Sequence, residues 1–209
     1  MDALMIGVAG LIAVAAITPG PNNLIVMRAA SHSGFMGALP AIAGIVAGGL
    51  AMLLLVMAGA GVVFAAEPRL HRVITVGGGV YLCWLGASLV MGSFAKPGAH
   101  GVIPARALPA GAAALFGFQF LNPKSWVMVL TVTSAVRGGA EASQVFLPLA
   151  ALFTVIPALC LALWCSLGVL MTPYLDRPRV RSWLDRVMGL LLIISALLLV
   201  LAPVDVPLS

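Results

Sequence analysis

The chain has 209 residues, of which 62% are apolar and only 8% are charged, against about 45–50% and 25% in soluble proteins. A soluble fold of this size buries only about 70% of its surface, so it would leave large apolar patches in water. A mean hydropathy of +1.16 indicates an integral membrane protein. A soluble enzyme, a disordered protein and a nucleic-acid binder are therefore excluded, because most basic residues also fall in short connections between apolar runs.

Six apolar stretches are long enough to cross a bilayer, since a helical span needs about 20 residues. Their continuous apolar sequence favours helices over the alternating pattern of a membrane β-barrel. The predicted fold class is therefore an all-α integral membrane protein with six transmembrane helices. The first stretch lacks the positive start of a cleaved signal peptide and is too long for one, so we expect it to stay as a span. The predicted spans are Ala3–Met27, Ala38–Ala66, Val73–Ala95, Gly111–Val136, Gln144–Met171 and Val187–Ala202.

Lys and Arg are distributed unevenly between the two sides of these spans. The connections after spans one, three and five contain Arg28, Lys96, Arg106, Arg177, Arg179, Arg181 and Arg186. The opposite side contains Arg69, Arg72 and Arg137. Because basic connections stay in the cytoplasm, this bias predicts a cytoplasmic loop at residues 176–186 and places both termini outside the cytoplasm.

A Pro- and Gly-rich segment, residues 96–109, divides the chain into two parts of three predicted spans each, residues 1–95 and 110–209. An odd number of spans in each part means that the second part enters the membrane in the opposite sense to the first. The sequence therefore predicts two inverted three-helix repeats, each with a broken first helix. Helix interruptions at corresponding positions of two such repeats are the best sequence indicator of a transporter's binding site.

The first interruption is the sequence TPGPN, followed by a second asparagine. Pro19 and Pro21 lack an N–H and clash with the preceding turn, and Gly20 between them is flexible. Asn22 and Asn23 add amides that can donate and accept hydrogen bonds. We expect the helix to unwind here and to expose backbone carbonyls toward protein or water; an ordinary proline kink is the alternative.

The second interruption is the sequence LNPK, and Lys124 is the one formal charge well inside a predicted span. A lysine at the centre of a membrane helix costs about 2.5–3.5 kcal/mol, so it should face the bundle interior or water. Gln119, Asn122 and Pro123 flank it. The pattern predicts a cation that pairs with an anionic group; the alternative is a lysine whose side chain reaches the membrane surface.

Other side chains give little indication of chemistry. The acidic residues lie at span ends or in connections: Asp2, Glu67, Glu141, Asp176, Asp185 and Asp205. The three cysteines lie in apolar stretches without metal-site spacing, and no catalytic arrangement is evident. We therefore expect no enzymatic activity, no metal site and no cofactor. Gly44 and Gly48 form a GxxxG pair, which is typical of helix packing and compatible with a homodimer.

Four segments together resemble the LysE/RhtB family of amino-acid exporters over essentially the whole chain. They are TPGPN in span one, SGFMGALPAIAGIVAG from Ser33, GGVYLCWLG from Gly78 and FGFQFLNPK from Phe116. The resemblance implies an exporter of amino acids or related metabolites in the bacterial inner membrane, driven by the proton gradient. It assigns the family motifs to residues 19–22 and 122–124.

The absence of an acidic residue in span two disfavours lysine or arginine as the substrate, so neutral amino acids such as homoserine, threonine or leucine are favoured. The substrate carboxylate would meet Lys124, and the amino group would meet carbonyls freed by Pro19 and Pro21. The predicted substrate-binding residues are Pro19, Gly20, Pro21, Asn22, Asn23, Gln119, Asn122, Pro123 and Lys124. The alternatives are an exporter of another small solute or a metal ion, and a non-transporting membrane scaffold.

Overall fold

A computed structural model describes residues 2–60, 68–94, 111–136, 142–175 and 177–201. Within these ranges there are seven α-helices and no β-strand, so the predicted all-α class is confirmed. A short π-helical segment, Val56–Ala60, continues the second helix. In chain order the helices are α1 (Asp2–Ile17), α2 (Pro21–Leu55), α3 (Pro68–Gly92), α4 (Ala112–Leu121), α5 (Pro123–Val136), α6 (Ala142–Leu175) and α7 (Pro178–Leu201).

Helix α2 reverses its direction at Gly34, which has a positive φ (φ 71°, ψ 179°) that glycine adopts readily. The contacts of Gln119 show the reversal, because this one side chain touches both parts of α2. Asn22 donates a hydrogen bond to it at 2.9 Å, and its Cγ would lie 2.6 Å from a Cβ added to Gly48. A straight helix would separate residues 22 and 48 by about 39 Å. Helix α2 therefore has two antiparallel arms, a first arm (residues 21–33) and a return arm (residues 35–55).

Two predicted connections are wrong in their bounds. The connection expected between spans one and two is helical except for Gly34, because a single glycine suffices for the reversal. The loop expected at residues 176–186 is largely helix, because α7 begins at Pro178, and proline is favoured at the first helical position. Asp185 consequently lies inside a helix. The predicted linker at residues 96–109 lies outside the described residues, and the division into two repeats stays a prediction.

Length and apolar composition single out two described segments that could each cross a membrane, Pro21–Gly59 and Val145–Tyr174. The first of these contains the reversal at Gly34, so it is not one straight helix. Its return arm, continued by the π-helical segment, runs antiparallel to its first arm. Shorter apolar stretches lie at Ala3–Ile17, Val76–Gly92 and Ala112–Leu121. The arrangement of six spans stays a prediction.

Helix α6 is the element around which α1 and both arms of α2 pack. The indole N–H of Trp164 donates to the Ile17 carbonyl at 3.2 Å, and Gly168 lies so close to Met27 that an added Cβ would be 2.2 Å from the Met27 carbonyl oxygen. A buried apolar cluster joins α6 to α1, the return arm and α5, and it includes Ile12, Met52, Leu53, Val129, Leu149 and Phe153. Helices α3 and α7 pack together through Gly86 and Gly189.

Polar contacts join three chain segments at one end of the bundle. Arg28, on the first arm, forms an ion pair with Asp185 of α7. The neighbouring Arg186 donates to the Ser93 hydroxyl at 3.0 Å and lies 4.0 Å from the ring centre of Phe94, just after α3. The first arm, the end of α3 and the first turns of α7 therefore lie together. We call this region the Arg28 end.

Replacement of Gly44 by alanine should destabilise the protein. The added Cβ would lie 2.2 Å from the Ala112 carbonyl oxygen, so α4 must move away from the return arm, and such overpacking costs about 1–3 kcal/mol. Gly10 is the control, because a Cβ there meets nothing within 4 Å and alanine is the better helix former. We expect a lower thermal midpoint in detergent for Gly44→Ala and an unchanged or higher one for Gly10→Ala; equal midpoints would contradict the close packing.

Candidate functional site

The first helix break lies between α1, which ends at Ile17, and α2, which begins at Pro21. Gly20 between them is extended (φ −164°, ψ −179°). Because Pro19 and Pro21 have no N–H, they cannot continue the helical hydrogen bonds of the preceding turn. The predicted interruption is therefore present, and it leaves carbonyl groups at the end of α1 without helical partners.

Side chains donate to several of these freed carbonyls. The Asn23 amide donates to the Ala16 carbonyl at 3.0 Å and to the Thr18 carbonyl at 2.9 Å. Trp164 donates to the Ile17 carbonyl from α6. Protein donors therefore already bond to the Ala16, Ile17 and Thr18 carbonyls in this conformation, and the contact of a substrate amino group with carbonyls freed by Pro19 and Pro21 stays a prediction.

The second break lies between α4, which ends at Leu121, and α5, which begins at Pro123. Asn122 is extended (φ −88°, ψ 106°), and its side-chain oxygen accepts a hydrogen bond from the Lys124 backbone N–H at 3.1 Å. This is the N-cap interaction that asparagine favours. The Trp126 indole donates to the Phe120 carbonyl at 2.9 Å, so the second break also satisfies a freed carbonyl with a tryptophan.

The two breaks meet inside the bundle. The Lys124 ammonium group donates to the Thr18 carbonyl at 2.7 Å, which ties the second break to the first. Asn22 and Gln119 exchange two amide hydrogen bonds of 2.9 and 3.1 Å. The Ser125 hydroxyl donates to the same Gln119 oxygen at 2.9 Å. Polar residues of the first break thus form one network with polar residues of the second break, about 100 positions later in the sequence.

A cavity opens beside this network. The volume open to the centres of water molecules is about 60 Å³, and one water needs about 10–15 Å³ by that measure, so the cavity can hold several waters or the polar part of a small solute. The polar wall consists of Asn22, Asn23, Gln119, Asn122, Lys124 and Ser125. Side chains from the return arm, α5 and α6 form an apolar wall, which includes Ile45, Val46, Met128, Phe153 and Leu161.

Seven of the nine predicted site residues line the cavity: Gly20, Pro21, Asn22, Asn23, Gln119, Asn122 and Lys124. Pro19 and Pro123 are not among the lining residues. Pro123 instead faces α3, where its Cδ would lie 2.6 Å from a Cβ added to Gly78. The structure thus brings the predicted residues together, and their role in binding stays a prediction.

The sequence reasoning missed Ser125 and the apolar wall. Ser125 carried a detectable signal, because it follows Lys124 directly and is a further polar residue inside an apolar stretch. The wall from α6 carried a weaker one, namely Pro157, a proline in the middle of the predicted fifth span that also lines the cavity.

Two interrupted helices that meet at a polar cavity inside an apolar helical bundle are typical of membrane transport proteins. The sequence model of the LysE type translocator family matches residues 13–202, and the chain belongs to this family. The expected resemblance is therefore confirmed, and a translocator family supports a transporter in place of an enzyme.

Several similar proteins are named as efflux proteins. A cysteine/O-acetylserine efflux protein of Salmonella choleraesuis is 31% identical over 124 residues, which cover 58% of this chain and 59% of the relative. A threonine efflux protein of Escherichia coli is 27% identical over 191 residues, which cover 90% of this chain and 93% of the relative. The chain thus aligns with only about three fifths of the length of the first relative. No solved structure matches the chain.

Replacement of Asn23 by leucine, which has a similar shape, should destabilise the first break. It removes the donor to the Ala16 carbonyl, and a buried acceptor left without a partner costs about 1–3 kcal/mol. The Thr18 carbonyl also loses the Asn23 amide but keeps the Lys124 ammonium group. Thr154→Val is the matched control, since the Thr154 hydroxyl bonds only to a carbonyl within its own helix. Thermal unfolding in detergent should show a clear loss for Asn23→Leu and little for Thr154→Val. Equal losses would show that Asn23 has no special role.

Proposed function

We propose that the protein exports small neutral amino acids across the bacterial inner membrane by alternating access, and that the cavity between the two helix breaks binds the substrate. The main support is the position of Lys124, a cation held by the Thr18 carbonyl at the wall of a cavity in an apolar bundle. Lys124 is half-buried, and because a charge inside a membrane bundle is costly, such a residue commonly marks a functional site.

We propose that the substrate carboxylate binds Lys124. Helices α2 and α5 both begin at the cavity, at Pro21 and Pro123, and helix N-termini carry partial positive charge that favours anions. Lys124 adds a full positive charge to this region. Two broken helices that direct their N-terminal ends at an anionic substrate group are a recurrent arrangement in transporters. An incoming carboxylate would compete with the Thr18 carbonyl for the Lys124 ammonium group.

The substrate ammonium group needs acceptors, and Ala15 and Asn22 are the proposed ones. Pro19 has no N–H to donate to the Ala15 carbonyl four residues earlier, and Ala15 lines the cavity. The Asn22 side-chain oxygen also lies at the cavity, where Gln119 donates to it at 3.1 Å. The same oxygen also accepts a longer hydrogen bond from the Asn122 amide at 3.5 Å. A carbonyl oxygen has two lone pairs, so the substrate ammonium group would replace Asn122 there and leave the bond from Gln119 in place.

The proposed substrate class follows from the rest of the cavity wall. It is apolar, and the lining residues include no carboxylate that would pair with a basic side chain. The relatives named above are efflux proteins for cysteine, O-acetylserine and threonine, all of which have small uncharged side chains. A neutral amino acid of similar size would place its side chain against the apolar wall.

For orientation, we propose that the Arg28 end faces the cytoplasm, because basic residues concentrate there and basic connections stay in the cytoplasm. The side chains of Arg28 and Asp185 are 27% and 20% exposed. Their ion pair joins the first arm to α7. In an alternating-access cycle such a contact would form when the cytoplasmic entrance is closed and break when it opens.

We also propose proton coupling. Among the cavity-lining residues, Lys124 is the titratable one, so it is the group that can exchange a proton as the substrate binds and leaves. An outward substrate flux would then be driven by inward movement of protons.

The inverted repeats have support from one correspondence. Asn22 and Lys124 are each the second residue of the helix that follows a break, directly after a proline, and both line the cavity. The homodimer stays a proposal with weaker grounds, because Gly44 and Gly48 contact α4 of the same chain and are therefore already used in packing within one molecule.

Lys124→Met should abolish export and leave the fold intact, because methionine has a similar shape and no charge. Purified protein in liposomes preloaded with labelled threonine, with and without an imposed pH gradient, provides the measurement. Arg69→Met, which removes an exposed charge at the start of α3, is the control and should export normally. Threonine amide, which lacks the carboxylate, should not be exported by the wild type. Normal threonine export by Lys124→Met would contradict the proposed role.

Arg28→Ala and Asp185→Ala should each open the cytoplasmic end more often, since each leaves its partner without an opposite charge. Ser125→Cys in a background lacking the three native cysteines places a probe at the cavity. Its labelling by a membrane-impermeant maleimide from the Arg28 end should rise several-fold in either variant. The exchange of both residues, Arg28→Asp with Asp185→Arg, should restore slow labelling. Unchanged labelling in both single variants would rule out this contact as a gate.

A further inference from the structure

Three glycines of the return arm differ in what a side chain would meet. A Cβ on Gly44 would lie 2.2 Å from the Ala112 carbonyl oxygen, and one on Gly48 would lie 2.7 Å from the Phe116 carbonyl oxygen. These two glycines allow α4 to approach closely. A Cβ on Gly49, by contrast, would meet nothing within 4 Å. Close packing therefore explains Gly44 and Gly48 and does not explain Gly49.

Gly49 nevertheless faces the interior. It lies on one stripe of the return arm with Ile45, four residues before, and Leu53, four residues after. Ile45 is 4% exposed and Leu53 is fully buried. Gly49 also lines the cavity. The open space in front of it is consequently the cavity itself and not the surrounding lipid.

The part of the cavity in front of Gly49 can receive the side chain of a substrate bound at Lys124. Lys124 lies on the polar wall, whereas the other cavity-lining residues of the return arm, Ile45 and Val46, are apolar, as are those of α6. An amino acid whose carboxylate is bound at Lys124 has to direct its side chain away from the polar network. Gly49 contributes the part of the apolar wall where additional volume is available.

We infer that Gly49 determines the largest side chain that the cavity accepts, so that it is a specificity-determining residue for small uncharged amino acids. The inference depends on the proposed export function. The glycine leaves room for a side chain of a few heavy atoms, and any larger residue at position 49 would occupy that room.

A graded series at position 49 tests the inference: Gly49→Ala, Gly49→Val and Gly49→Leu. Each variant is reconstituted in liposomes, and efflux of preloaded glycine, alanine, threonine and leucine is measured. We expect leucine efflux to fall first and threonine efflux next, with alanine and glycine retained longest. The ratio of alanine to leucine efflux should rise at least tenfold across the series, the selectivity that about one methylene group provides in an apolar pocket.

Gly117→Leu is the control, because Gly117 is exposed on α4 and a Cβ there also meets nothing within 4 Å. It should change no substrate ratio. If all four amino acids lose efflux in parallel across the series, or if Gly49→Leu exports leucine like the wild type, the inference is wrong while the export function stands. If the wild type exports none of the four, the proposed function itself fails. Gly49→Ala, the smallest change, keeps the test valid if the leucine variant does not fold.

Discussion

Backbone groups without partners in apolar surroundings are the constraint on which this structure depends. Each such group costs several kcal/mol in the hydrocarbon region of a membrane, and two helix breaks free several of them at once. The molecule meets this cost with a small set of dedicated donors. Asn23, Trp164 and Lys124 donate hydrogen bonds to carbonyl groups at the end of α1. Trp126 donates to a carbonyl group at the end of α4. The breaks need these donors to satisfy the freed carbonyls, and the donors need those carbonyls as partners, so the polar groups collect at the breaks.

The same constraint explains why the breaks face each other. A broken helix directed at lipid would leave its remaining polar groups exposed, whereas two breaks in contact share donors and acceptors. Lys124 belongs to the second break and binds the Thr18 carbonyl of the first, and Asn22 of the first binds Gln119 just before the second. If one break moves relative to the other, these hydrogen bonds must break and new ones must form. Such an exchange of hydrogen bonds would accompany the conformational change of a transport cycle.

The site could be predicted to a large extent from sequence because its signals are local and contrast with an apolar background. Pro19, Pro21 and Lys124 each violate the rules for a membrane helix within a few residues, so their positions were evident. The reversal at Gly34 was not, because helix-forming residues continue on both sides of it and one glycine makes the turn. The pair of Arg28 and Asp185, 157 residues apart, could be found only from the tertiary structure. The apolar wall was hidden for another reason: side chains that face a cavity and side chains that face lipid are equally apolar.

The asymmetry between the two breaks bears on how one site can bind a zwitterion. If the two parts of the chain are related by inversion, Asn22 and Lys124 occupy equivalent places, yet one is a neutral amide and the other a cation. A symmetric pair of lysines would place two positive charges at one cavity and would repel the substrate ammonium group. A symmetric pair of asparagines would leave the carboxylate without a counter-charge. One cation beside several amides would provide a counter-charge for the carboxylate and retain neutral acceptors for the ammonium group, so the difference between the halves fits the proposed zwitterionic substrate.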